Sequence, residues 1–186
     1  MSHEAVPNRP DDNEGPALVI MAGPPGTGKS HLVRLVRQRL PVMVVESDAI
    51  RHRIAQHPTY TPEESRHVFY LAHRRIDRLL ARGKMVVFDA TNIYEWGRRT
   101  VYRIAERRGA RVLVVRTVAP DEVVAQRLEA RLAGANPADR SEAGWEVYAK
   151  MKKRFQEIDR PHLVVDTSAE LSPALDRIVT FLGGAD

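Results

Sequence analysis

The residues best equipped for chemistry are consecutive: Gly23, Pro24, Pro25, Gly26, Thr27, Gly28, Lys29 and Ser30. Gly23, Gly28, Lys29 and Ser30 satisfy the phosphate-loop pattern, with Gly26 as a further glycine inside it. Glycine reaches positive φ without a Cβ clash, so such a loop can turn successive backbone N–H groups inward onto one anion. Lys29 adds a point charge for β- and γ-phosphates. The Ser30 hydroxyl is placed to ligate Mg²⁺ at the opening of a helix whose N-terminal dipole favours the same anion. The plain alternative is a glycine-rich turn between a strand and a helix. At average residue usage, however, the pattern arises by chance in a chain of this length roughly once in a hundred. The loop therefore predicts a nucleoside triphosphate and Mg²⁺ as ligands.

Phosphoryl transfer also needs a proton acceptor and neutralised charge. Asp48 follows a second apolar run, and Arg51 lies three residues later on the same helical face. An aspartate oriented by a neighbouring cation suits removal of a hydroxyl proton, whereas the alternative is a helix N-cap beside a solvated arginine. Asp89 ends a third apolar run, where a carboxylate reaches the Mg²⁺ shell through a water. With Asn92 it is equally placed to hold Arg51 or an acceptor, or to cap a turn. Arg127 and Arg131, spaced i, i+4, precede the turn-rich interval GANPADRSEAG that contains Arg140. Cations at a mobile lid stabilise charge on a transferred group; solvated arginines are the other option.

The elements that must position these groups alternate. Leu18 to Met21, Val42 to Val45, Met85 to Asn92, Arg111 to Val118 and His162 to Asp166 read as strands. Helices are predicted after each. Leu32, Leu35, Val36 and Leu40 form one stripe ending at Pro41, and Asp48 opens a helix carrying Ile50, Arg51 and Ile54. Thr61, Pro62 and Glu64 form a capping-box start to a long helix closed by Gly83. Further helices run from Glu95 to Arg108, from about Pro120 to Leu132, from Trp145 to Ile158 and from Pro173 to Leu182. Short, continuously apolar strands alternating with helices imply a parallel sheet covered on both faces, with ligands beyond the strands' carboxyl ends. Three of those ends carry the glycine-rich loop, Asp48 and Asp89.

Composition bounds the rest. The 186 residues suit one domain, 17–186, with a lid around 132–144, behind a polar, disordered tail at 1–16. No apolar run approaches a membrane span. There is no cysteine and no signal-like segment, which predicts a cytoplasmic protein. A net charge of +5 suits a phosphate-rich partner without choosing between ATP and a nucleic acid. Arg98, Arg99, Arg103, Arg107 and Arg108, and the group Lys152, Lys153, Arg154, either track a nucleic-acid backbone or form solvated faces. Tyr60, Tyr94 and Trp96 are placed to stack a terminal base or simply to pack. The seven histidines show no metal spacing.

The succession GPPGTGKS, SDAIR, a strand ending DATN, and RLEAR before a flexible interval resembles the P-loop kinase family that contains the polynucleotide 5′-kinases of bacteriophages and bacteria. The likeness extends from about Leu18 to Phe155. It implies a five-stranded parallel sheet of order 2-3-1-4-5 with helices on both faces and a lid, and ATP with Mg²⁺ on Lys29 and Ser30. It further implies that Asp48 is the general base, that Arg51 contacts an acceptor phosphate, and that Asp89 supports Arg51 or the acceptor. Arg127 becomes the lid arginine on the donor phosphates, with Arg131 beside the nucleotide. DATN stands where the polynucleotide enzymes often have DNTN, which weakens the substrate assignment more than the reaction. The leading expectation is thus γ-phosphate transfer to the 5′-hydroxyl of a DNA or RNA end. A small-molecule kinase acting on a sugar, nucleoside-like or antibiotic hydroxyl is the alternative, and a nucleotide switch or ATPase without acceptor is a third.

Overall fold

The computed structural model describes residues 15–134 and 144–183. The expected lid at 132–144 lies mostly outside them, as do Arg140 and nearly all of the expected tail. Five strands form one parallel sheet: β1 (Ala17–Ala22), β2 (Met43–Glu46), β3 (Met85–Asp89), β4 (Arg111–Val118) and β5 (Leu163–Asp166), in the order β2-β3-β1-β4-β5. β1 is central and wholly buried. Its side chains alternate between two cores, as a pleated strand requires. Leu18, Ile20 and Ala22 join Val68, Ala72 and Ile76 of α3 (Pro62–Leu80) and Val101 of α4 (Glu95–Arg107) on one face. Ala17, Val19 and Met21 join Leu32 and Val36 of α1 (Lys29–Arg39) and Ile178 and Leu182 of α7 (Ser172–Leu182) on the other. A small third cluster, Val124, Leu128 and Tyr148, holds α5 (Asp121–Leu132) to α6 (Trp145–Arg154).

Local chemistry accounts for most element ends. Thr61 caps α3 by accepting from the Glu64 backbone N–H, with Pro62 at the first helical position. Glu64 completes only half of a capping box, because its carboxylate turns to Thr59 and Tyr60 instead of Thr61. α2 (Ser47–Ile54) starts one residue before Asp48, so Asp48 lies within its first turn and is not the N-cap. On α1 the buried stripe is Lys29, Leu32, Val33 and Val36, with Leu35 and Leu40 only half-buried at its edge.

α6 ends at Arg154, short of the expected Ile158, because the next residues have stronger partners elsewhere. The Gln156 amide donates to the Ile93 carbonyl at 2.8 Å, and its side-chain oxygen accepts from the Glu95 N–H at 2.7 Å, capping α4. Arg98, fully buried, donates to Asn92 O and to the carbonyls of Gln156 and Glu157, and pairs with Glu95. A single guanidinium thus fixes the strap at 155–158 to the loop after β3.

Candidate active site

The carboxyl ends of β1, β2 and β3 open onto a cleft of about 510 Å³ bounded by α1, α2, α5 and α6. Of the sequence-predicted residues, Pro25, Gly26, Gly28, Lys29 and Ser30 line it from the loop after β1. Asp48, Arg51 and Asp89 line it from the ends of β2 and β3, and Arg127 and Arg131 from α5. The topology brings together groups up to a hundred residues apart.

The loop is built tightly. Gly26 and Gly28 have φ of 80° and 83°, and a Cβ on either would come within 2.8 Å of Val124 or of the Thr167 hydroxyl. Only glycine fits both the conformation and the space. The Pro24 carbonyl accepts from the Thr27 hydroxyl at 2.8 Å and from Lys29 Nζ at 2.9 Å, so the ammonium lies curled over the loop. Ser30 stands in the first turn of α1, where backbone N–H groups have no intrahelical acceptor. Ser30 and the buried Asp89 share the cleft, and a hydroxyl with a nearby carboxylate is a donor set suited to Mg²⁺.

Four predicted ligands lie behind the cleft instead. Gly23 donates its N–H to Thr91 O, and a Cβ there would meet Thr117. Thr27, nearly fully buried, hydrogen-bonds Thr117 Oγ1 at 2.8 Å, while Pro24 presents its carbonyl to Thr27 and Lys29. Asn92, with φ 44°, donates from Nδ2 to Met21 O at 2.7 Å and ties the loop after β3 to β1. These residues brace the site from beneath.

Arg127 is held by Thr167, donating to its hydroxyl and its carbonyl at 2.8 Å each, with a longer contact to Gly26 O at 3.4 Å. Thr167 Oγ1 in turn donates to Thr27 O at 3.0 Å. The loop after β5 therefore latches the phosphate loop through one arginine. Thr167 was not legible as a site residue, since nothing in its neighbourhood marks it. Partial burial, with Arg34 and Arg127 adding to it, pushes His31 below the usual histidine range.

Asp48 behaves differently. Burial pushes its carboxyl above the usual aspartate range, against the opposing pull of Lys29, Arg51, His52 and Arg131. Arg51 is buried, pairs with Glu64, reaches Ser65 Oγ at 3.5 Å and lies 4.6 Å from the Tyr60 ring centre. Glu64 is locked by the Thr59 N–H and hydroxyl at 2.7 Å each. Those two bonds, with Arg51 added, hold its carboxyl down to about 2. Glu64 entered the sequence argument only as a capping residue. Tyr60 lines the cleft, whereas Tyr94 and Trp96 stack on each other at 5.9 Å and do not line it.

Several basic groups elsewhere are engaged in ion pairs. Arg99 pairs with Asp159, Arg108 with Asp77, and Lys152 with Asp121. Among the described residues no group of three or more His, Cys, Asp or Glu is arranged to hold a metal, and no helix is long and apolar enough to cross a membrane.

A five-stranded parallel sheet with the phosphate loop after its central strand is the fold of P-loop kinases. The chain belongs to the family whose model is described as an AAA domain, which matches residues 18–158. An APS kinase of Mycobacterium tuberculosis, solved with AMPPNP and APS, superposes with a TM-score of 0.69 at 16% identity, covering 90% of this chain and 98% of that one. A gluconokinase from Sinorhizobium meliloti superposes with a TM-score of 0.64 at 14% identity, covering 91% and 93%. By sequence, an uncharacterized protein of Mycobacterium tuberculosis is 31% identical over 163 residues, 79% of this chain and 31% of the relative. The chain thus spans about a third of the length of the curated relatives it matches.

Proposed function

We propose that the protein is an ATP-dependent kinase that transfers the γ-phosphate to the hydroxyl of a small molecule. The observation that carries this is that Asp48, a half-buried carboxylate, lines one cleft with Lys29 of the phosphate loop and Arg131 of α5. The phosphate loop holds the triphosphate; Lys29 and Arg131 neutralise charge on the transferring group. Ser30, with Asp89 nearby, would hold Mg²⁺, which would add to the neutralisation of the phosphates. Asp48 accepts the acceptor's proton as the new O–P bond forms and the bond to ADP breaks. Arg127 secures the loop through Thr167.

The small-molecule acceptor draws support from the solved neighbours, named as APS kinase and gluconokinase. The basic cluster weighed for a nucleic-acid backbone gives the polynucleotide alternative little support, because Arg98 lies in the interior and Arg99 and Arg108 form ion pairs. The test is transfer from γ-labelled ATP to a panel of hydroxyl compounds alongside a 5′-hydroxyl oligonucleotide. Label on a small molecule, lost in Asp48→Asn, is the expected result. Label on the oligonucleotide alone overturns the small-molecule acceptor, and hydrolysis indifferent to acceptor and to Asp48 overturns the kinase.

A further inference from the structure

A second concavity, of about 490 Å³, lies between α2 and the C-terminal half of α3 and shares no lining residue with the cleft. Where α2 gives Asp48 and Arg51 to the cleft, it gives Ile50, Arg53 and Ile54 to this groove. Ile50 and Ile54, one helical turn apart, form an aliphatic floor with Leu71 and Leu79, two turns apart on α3. Ile54 is 40% exposed there. Above the floor stand four exposed arginines: Arg53 from α2, and Arg75, Arg78 and Arg82 along one face of α3. Arg75 with Arg78 and Arg78 with Arg82 are like charges at i, i+3 and i, i+4, a spacing that costs helix stability. No carboxylate lines the groove, and among the described residues none of the four arginines forms an ion pair. Asp77, the acid closest to them along α3, faces Arg107 and Arg108 instead. We infer that this groove docks an acidic amphipathic helix of a partner protein.

Charge complementarity selects the occupant. A cationic rim over an aliphatic floor matches a segment whose carboxylates flank an apolar stripe, and a channel between two packed helices has the shape that receives a third. The α3 wall from Leu71 to Arg82 is about 16 Å long, or three turns, which suits a short helix. A nucleic acid would engage the arginines and leave the floor uncovered, since no aromatic side chain lines the groove for a base to stack on. A flat anionic membrane would meet the rim without reaching Ile50, which is 8% exposed.

The experiment uses the full chain and a fluorescein-labelled synthetic peptide of about fourteen residues, long enough to span that wall, with leucines at helical spacing and glutamates flanking them. Its reversed sequence is the second probe. The comparison ligands are a scrambled peptide of the same composition, polyglutamate and a single-stranded oligonucleotide, all by anisotropy, and vesicles of phosphatidylcholine with phosphatidylserine, by co-sedimentation. At least one amphipathic peptide is expected to bind saturably, about tenfold or more tightly than the scrambled peptide and polyglutamate. Arg75→Ala combined with Arg78→Ala should weaken that binding about tenfold, and Ile54→Ser about three- to tenfold. Lys153→Ala combined with Arg154→Ala, an equal loss of charge on α6, should leave it unchanged. All five side chains are exposed, so each variant should fold, which circular dichroism checks. The inference is overturned if neither amphipathic peptide saturates, if the scrambled peptide or polyglutamate binds as tightly, or if the α6 variant loses as much as the groove variants. Tighter binding of the oligonucleotide or the vesicles, lost on removal of Arg75 and Arg78, overturns it too and makes the groove a nucleic-acid or lipid site. No outcome depends on phosphoryl transfer, so the kinase reading stands or falls separately.

Discussion

The two sides of the cleft are built on opposite plans. The side proposed for the donor draws on one contiguous loop around Pro25 to Ser30, with arginines from α5 behind it, and Arg34 and Arg127 add to the burial that lowers His31. The side proposed for the acceptor is assembled from the ends of β2 and β3, from α2 and α3, and from α6; its arginine pairs with Glu64, and Asp48 there is pushed upward by burial. A triphosphate is the same anion in every such fold, so a local motif suffices to bind it. An acceptor is particular, so its recognition falls to side chains scattered through the sequence.

That contrast can be broken by substitutions on either side. Asp48→Asn should lower kcat about 10²- to 10⁴-fold, the usual worth of a positioned base, with ATP affinity unchanged. Lys29→Ala should cost about 10²- to 10³-fold in kcat and should weaken ATP as well. If calorimetry finds that Asp48→Asn weakens ATP as much as Lys29→Ala does, the two sides are not separate.

Arg127→Ala tests the latch. Losing its bonds to Thr167 should lower stability by about 1.5 to 3 kcal/mol, a drop of several degrees in Tm. A fall in kcat/KM for ATP at temperatures where the variant stays folded would mark a role at the phosphates. Full turnover with lowered Tm would make the residue a brace alone.

The pH dependence sharpens the comparison further. The raised Asp48 carboxyl must lose its proton to act, so kcat should rise with pH through a value above the ordinary 3.8. Arg131→Gln removes a cation that favours the ionised form, and should move this limb to still higher pH. Glu64 runs the other way. Its carboxyl lies at about 2 against an ordinary 4.5, so its stabilisation is present above 4.5 and is lost as pH falls toward 2. Acid unfolding of Glu64→Gln should therefore be flatter across that window than that of the parent protein.

The smallest effects belong to the basic cluster on α4 and at its C-cap, which was open to either a nucleic-acid backbone or a solvated face. Arg99→Ala and Arg108→Ala break exposed pairs and should leave transfer unchanged, as surface ion pairs contribute little. Arg98→Met, by contrast, removes a buried guanidinium that holds three carbonyls, and should fail as a fold before it fails as a catalyst.

Residue types and spacing alone determined the phosphate loop, the five strands, the placing of Asp48 and Asp89 near one rim, and the cap of α3 at Thr61. Those features are local: a motif, an apolar period and a cap each act within a few residues. Tertiary structure alone decided which arginines face the cleft. Arg51 and Glu64 are partners across two helices, Arg127 is bound to Thr167 some forty residues on, and Asn92 turns inward to Met21. The same is true of α6, where Gln156 leaves its own helix to cap another. A guanidinium or an amide joins whichever acceptor the packed chain brings within about 3 Å, and no periodicity along the sequence records that distance.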